Sequence, residues 1–274
     1  TRRQVARLIY NTLDTKIKVG IIMDLSVILG MLGALASIAT GDLMEGGNPA
    51  HVIHITSLII VIPTAMFAAA TSTESHAISA AFKELKIVFK KSPVDYEARI
   101  EELVEYSIIV KKHGVLALEK DVQLIEDEFL KEALSMVVDG SKEEQIEESL
   151  EYIIEETEHY YHSASHYWLL AGETCPVMGL IGAVLGLILA LQKLDNPAEM
   201  AAGIAGAFTA TVTGIAGAYM FLGPWGNKMK AKAHLLIKDK QLILAAVKGM
   251  ARGDAPGELK LKLTKMVTAM PTKA

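Results

Sequence analysis

Cysteine is nearly absent from this sequence, and charge is missing over long stretches. Cys175 is the single thiol among 274 residues, so no disulfide can form within the chain and the redox compartment stays open. Residues 25–41, 49–73, 174–192 and 200–227 contain no Asp, Glu, Lys or Arg. That absence excludes a proton relay built from this chain's own carboxylates, because such a relay needs a titratable group at depth. No glycine-rich phosphate loop stands between a strand and a helix, since the glycines sit in the apolar runs, and no nucleophile elbow is present. Nucleotide binding and enzyme catalysis are therefore not expected, nor is a cofactor. No repeat of fixed period and no low-complexity segment interrupts the chain.

What is present is apolar: 51% of the residues are hydrophobic and the mean hydropathy is +0.32. The runs 174–192 and 200–227 are each long enough to cross a ~30 Å hydrocarbon core at ~1.5 Å per residue. The window 49–73 is a third span. The window 25–41 is short alone, but Val19 to Ile22 can lengthen it, which makes four spans. Basic residues set the topology. Arg2, Arg3, Arg7, Lys16 and Lys18 precede the first span, Lys83, Lys86, Lys90 and Lys91 follow the second, and Lys228, Lys230 and Lys232 follow the fourth. The two short loops hold few cations. The positive-inside rule then places both termini and the large central segment in the cytoplasm.

The expected fold is an all-α membrane protein with four transmembrane helices and a large helical cytoplasmic domain between helices 2 and 3. The expected divisions are an upstream extension (1–22, with Met23 as a natural start), helices 1 and 2 (23–73), a cytoplasmic helical domain (74–166), helices 3 and 4 (167–227) and a cytoplasmic tail (228–274). In the central segment Ile100, Leu103, Val104, Ile108 and Leu116 recur at helical spacing, and Val122, Ile125, Phe129, Leu130 and Leu134 repeat the pattern. Pro93 punctuates its start. Gly140 reads as a helix end, and Ser141 with Glu144 as a capping box for a long acidic helix running into helix 3.

Gly206, Ala210, Gly214 and Ala218 recur every four residues, and Gly182 and Gly186 do so on helix 3. Such stripes let helix backbones approach closely. Thr209, Thr211 and Thr213 must place their hydroxyls on a carbonyl a turn back, or on water or an ion. Pro176 and Pro224 lie at the cytoplasmic ends of helices 3 and 4. They read either as helix ends or as a pair of flexible points joining the membrane to the cytoplasmic domain. His159, His162 and His166 share a face with Glu155 and Glu158. The competing reading makes that region an interfacial aromatic belt with Tyr160, Tyr161, Tyr167 and Trp168, and no metal site is expected. His51 and His54 are discounted in the same way.

The segments PVMGLIGAVLGLILALQKLDNPAEMAAGIAGAFTATVTG and FLGPWGNKMKAKA resemble the MotA/TolQ/ExbB family, and within it the flagellar stator branch MotA, as found in Campylobacter and Helicobacter. MDLSVILGM and GDLMEGGNPAHVIHITSLIIVIPT are similar to it too. The resemblance implies a proton-conducting stator in the bacterial inner membrane. In it a ring of five such chains surrounds two copies of MotB, a single-span protein that supplies the ion-binding aspartate, and drives the rotor protein FliG. It implies coupling roles for Pro176 and Pro224, and rotor contact for Lys111 and Glu119 within Lys111-Lys112-His113-Gly114-Val115-Leu116-Ala117-Leu118-Glu119. Lys111 stands where the family usually has Arg, which removes a bidentate fork. The resemblance also implies an ion path past Thr211 and Ala183, where alanine replaces the threonine of sodium-driven relatives. A TolQ/ExbB-like energiser of an outer-membrane process shares the hairpin but is expected to have three spans. A stand-alone channel would conduct without a partner. Nucleic acid is not an expected partner. Eight residues apart, Lys111 and Glu119 are expected on one side of one helix.

Overall fold

The computed structural model describes residues 24–48, 54–91 and 94–268. The expectations for the extension 1–22, for Met23, for His51 and for Pro93 lie outside these residues. The described elements are helices: α1 Leu25–Met44, α2 Ile55–Thr71, α3 Ser75–Phe89, α4 Tyr96–His113, α5 Glu119–Val122, α6 Glu128–Val138, α7 Glu143–Leu191, α8 Pro197–Ala216, α9 Gly223–Arg252 and α10 Pro256–Thr268. They fall into two compact units. One comprises the described residues up to 91 together with 160–231. The other comprises 94–159 together with the residues from 232 onward.

In the first unit, Asp24 caps α1 by accepting hydrogen bonds from the Ser26 backbone (3.3 Å) and hydroxyl (2.6 Å). Lys228 Nζ lies 3.0 Å from the same carboxylate. No residue of α1 is buried by the chain itself, so its leucines and isoleucines are left for lipid or for other chains. Helix α2 buries Ser57, Val61, Ala65 and Ala69, one residue per turn along a single face. Among the described residues, three helical stretches are long and apolar enough to cross a membrane: α1, α7, and the helical run Pro197–Arg252. Helix α2 is a shorter apolar helix of 17 residues.

The aromatic belt is corrected in part. Tyr167 and Trp168 do not lie at the surface. Both are buried, with the Trp168 indole N–H donating to the Ala81 carbonyl (3.1 Å) and the Tyr167 hydroxyl to the Met66 carbonyl (3.3 Å). Phe82 and Trp225 pack edge-on against Trp168 at 5.1 and 5.5 Å between ring centroids. The face of α7 that carries these two rings is packed against α2, α3 and Trp225, so neither ring lies at the surface, whereas His162 and His166 of the same turns are exposed.

The second unit holds the larger aliphatic core. Leu103 of α4, Leu130 and Leu134 of α6, Ile146 and Leu150 of α7 and Ile243 of α9 are fully buried in it. Helix α10 packs on α4 and buries Leu259 and Leu263. Helix α4 ends where Gly114 adopts φ +82°, a conformation that favours glycine. The turn of Val115–Leu118 that follows sends Leu118 inward and leaves Leu116 70% exposed. Leu116 therefore does not continue the helical core face. Gly140, at φ +72°, ends α6 as expected. The cap of α7 is shifted, however: Gln145 Oε1 accepts from the Lys142 backbone N–H at 3.2 Å, so the reciprocal half of the capping box comes from Gln145 rather than Glu144, and Ser141 lies one residue too early.

Candidate functional site

The charge-free hairpin of α7 and α8 closes on a seam of small residues. A Cβ on Gly186 would lie 2.8 Å from the Ala207 nitrogen and 2.9 Å from the Gly203 oxygen. One on Gly182 would meet Ala210 Cβ at 2.8 Å, and one on Gly179 would meet the Ala210 oxygen at 2.9 Å and Gly214 Cα at 3.1 Å. The seam on α8 is thus Gly203, Ala207, Ala210 and Gly214. Gly206, expected within it, lies off the seam, with only a His54 ring carbon as near as 4.0 Å. A spacing of strictly four drifts around a helix of ~3.6 residues per turn, so the true seam alternates steps of four and three.

The threonine hydroxyls bond within their own helix. Thr211 donates to the Ala207 carbonyl (3.3 Å) and Thr213 to the Thr209 carbonyl (2.7 Å). Thr209 reaches the Gly206 carbonyl (3.0 Å) and lies 3.1 Å from the Ser57 hydroxyl of α2. Thr211, four residues after Ala207, and Ala183, four after Gly179, both flank the seam and both are half-buried. Beyond the seam, Phe208, Val212 and Ile215 of α8, with Tyr219 just after it, form an exposed apolar row.

Neither proline ends a helix. Pro176 lies inside α7, which runs unbroken from Glu143 to Leu191. Pro224 enters α9 immediately after a wide π turn, Gly217–Leu222, and the backbone stays helical to Arg252. Proline removes one backbone donor and its ring pushes away the carbonyl four residues back. The π turn answers that demand, with the Gly223 N–H bonding the Ala218 carbonyl five residues earlier. The reading of the prolines as helix ends is excluded. The π turn was missed from the sequence, where the only signal was a proline following a glycine-rich stretch.

Lys111 and Glu119 are both exposed in the second unit, but they do not share a helix. Lys111 is in the last turn of α4, Gly114 breaks the chain direction, and Glu119 opens α5. Lys111 Nζ donates to the Gly253 carbonyl at 2.7 Å. Of the histidines, His162 and His166 stack at 6.2 Å, and among the described residues no group of three or more His, Cys, Asp or Glu is placed to hold a metal.

A polar centre with no local sequence signal sits in the second unit. The Arg99 guanidinium donates to Asp239 through Nε (3.0 Å), and its other nitrogens reach Glu102 (2.9 Å) and Asp127 (2.7 Å). Asp127 also caps α6 through the Phe129 and Leu130 N–H groups. Burial raises the Asp239 and Glu102 carboxyls above the ordinary carboxylate range, and the charge and hydrogen bonds of Arg99 oppose that rise. Tyr96 is pushed up to about 12 by burial and by the charge of Asp239, while its hydroxyl donates to the Leu235 carbonyl.

Residues 121–241 match the model of the MotA/TolQ/ExbB proton channel family. Motility protein A of Helicobacter pylori is 54% identical over 241 residues, which cover 88% of this chain and 94% of that protein. The chain belongs to the MotA/TolQ/ExbB proton channel family, in its motility protein A branch. A structure of C. jejuni MotAB matches with a TM-score of 0.87 at 53% identity, over 92% of this chain and 98% of that one. The flagellar MotAB stator complex from Bacillus subtilis matches with a TM-score of 0.79 at 28% identity, over 90% and 96%. As a motility protein A family member the chain is a flagellar stator subunit and not an enzyme.

Proposed function

We propose that this chain conducts protons together with a MotB-like single-span partner, and turns the flow into torque on a rotor. The observation that carries this is the pairing of a closely packed, charge-free hairpin with an exposed apolar row and half-buried Thr211 beside its seam. A path without its own carboxylate needs one from outside, and the solved relatives are complexes named MotAB. In this reading four helices cross the inner membrane: α1, α2, α7 and the run that begins with α8. Both termini are cytoplasmic, the divisions at 23–73, 74–166, 167–227 and 228–274 hold, and five copies ring the partner. Ala183 withholds a hydroxyl that would help replace the hydration shell of sodium, which favours protons. Lys111 and Glu119 face FliG, where exposed charges register a partner of opposite charge at little cost to folding.

Affinity purification of the membrane complex tests the pairing. A single-span protein bearing an aspartate in its apolar segment is expected to co-purify in stoichiometric amount. Recovery of this chain alone, in a conducting state, would favour a stand-alone channel.

The prolines give a second test. Pro176→Ala and Pro224→Ala each restore a backbone donor, and Pro224→Ala removes the demand that the π turn answers. Both variants are expected to insert and to bind the partner normally while motor torque falls. If either fails to assemble, that proline shapes the fold and does not couple conduction to rotation.

A further inference from the structure

His54, Ser57 and Thr209 make a chain of polar atoms from the start of α2 into the seam region of α8. His54 is exposed and precedes the first residue of α2, and Ser57 is 3% exposed. The His54 Nδ1 atom lies 3.2 Å from Ser57 Oγ, which lies 3.1 Å from Thr209 Oγ1 and 3.4 Å from the Gly206 carbonyl oxygen. Thr209 Oγ1 lies 3.0 Å from the same carbonyl oxygen. Two complete bonding patterns fit these distances. With Nδ1 unprotonated, Thr209 donates to Ser57 and Ser57 donates to the ring. When that ring, neutral with its proton on Nε2, takes a second proton on Nδ1, it donates to Ser57, Ser57 donates to Thr209, and Thr209 turns its own proton onto the Gly206 carbonyl. One proton is taken from water and one N–H bond forms. Nothing else is made or broken, and the hydroxyls only rotate.

We propose that these three residues are a proton-sensing clasp between α2 and α8. The site takes a proton from the aqueous phase at the loop end of the hairpins, which is the outer phase if the topology under Proposed function holds. Protonation reverses the donor direction along the chain. It moves the Thr209 hydroxyl from a bond across helices to a bond within α8, two residues from Thr211. A threonine that back-bonds its own helix bends it slightly, so the proton state at the surface reaches the helix of the proposed ion path. Among the described residues the other ionisable groups near this end are few. Helix α8 contributes Glu199, which pairs with Lys193 of the preceding loop at 2.8 Å, and that loop also holds Asp195. The end of α1 contributes Asp42 and Glu45. Among the described residues none of these contacts His54, whose polar contact is Ser57.

The test compares rotation of motors carrying wild-type chain or His54→Gln across outer pH 5–8, the range in which histidine changes charge. The ratio of the two speeds is expected to change about threefold, the shift in equilibrium that one interhelical hydrogen bond in a membrane typically gives. In a Ser57→Ala background His54→Gln should add nothing. A flat ratio in the wild-type background overturns the clasp. A nitrogen NMR titration of His54 in the purified complex decides the matter without rotation. Ser57→Ala should alter the Nδ1 signal and its pH response, and an unaltered titration overturns the clasp. Motors that fail at every pH with wild-type chain would count against the stator reading, while the NMR result still judges the clasp.

Discussion

Gly186→Val is expected to destroy the α7–α8 hairpin, while Gly206→Ala leaves it folded. The first Cβ alone would lie 2.8 Å from the Ala207 nitrogen and 2.9 Å from the Gly203 oxygen. These are backbone atoms of a facing helix, and they cannot step aside as the end of a side chain can. Overpacking in a core costs ~1–3 kcal/mol when side chains yield, and here the whole helix would have to move. Within a membrane little else drives helices together, because lipid is as apolar as their surfaces, so close packing supplies most of the association. Protease resistance of the detergent-solubilised full chain is the measurement. Gly186→Val should be cut rapidly in the hairpin, and Gly206→Ala should match wild type. Equal resistance of the two variants would show that the seam is not what holds the hairpin.

Arg99→Met should unfold the second unit at a temperature well below wild type. It strips the partner from Asp239, whose side chain is 9% exposed, and from Glu102 and Asp127, which are about a third exposed. Removing one partner of a buried pair costs ~3–5 kcal/mol. The lower end applies here, since two of the three carboxylates can recruit water. The effect should depend on pH in a definite direction. Asp239 and Glu102 already have carboxyls raised by burial, and the opposing pull of Arg99 is lost in the variant. A carboxyl raised in the folded state favours folding when protonated, and that contribution is lost as pH rises through its folded value. The deficit of Arg99→Met should therefore be smallest at acidic pH and grow toward neutrality. Thermal unfolding of the full chain in detergent at several pH values checks this, and a deficit that grows as pH falls would contradict it.

Much of the membrane unit was legible because its signals are local. Long charge-free runs mark α1, α7 and α8, and small residues mark the seam. Gly206 falls off the seam because a spacing of strict fours drifts around the helix. Where chain direction changes, the reading was weaker. Periodicity carried α4 past Gly114 to Leu116 and Glu119, yet the glycine's positive φ ends the helix there and separates Lys111 from Glu119. Pairings distant in sequence were not legible at all. Arg99 and Asp239 are 140 residues apart, and each looks locally like a charge on a solvated helix face. Tyr167 and Trp168 misled for a related reason: only the fold brings Phe82, Trp225 and the Ala81 carbonyl around them.

The most direct measurement is rotation of a tethered cell whose own stator genes are deleted, supplied with this chain and its single-span partner. Rotation should appear with both proteins, vanish when the partner's membrane aspartate becomes asparagine, stop with a protonophore and continue without sodium. Rotation that survives the asparagine, or that continues under a protonophore and stops when sodium is withdrawn, would contradict a proton path completed by the partner's carboxylate.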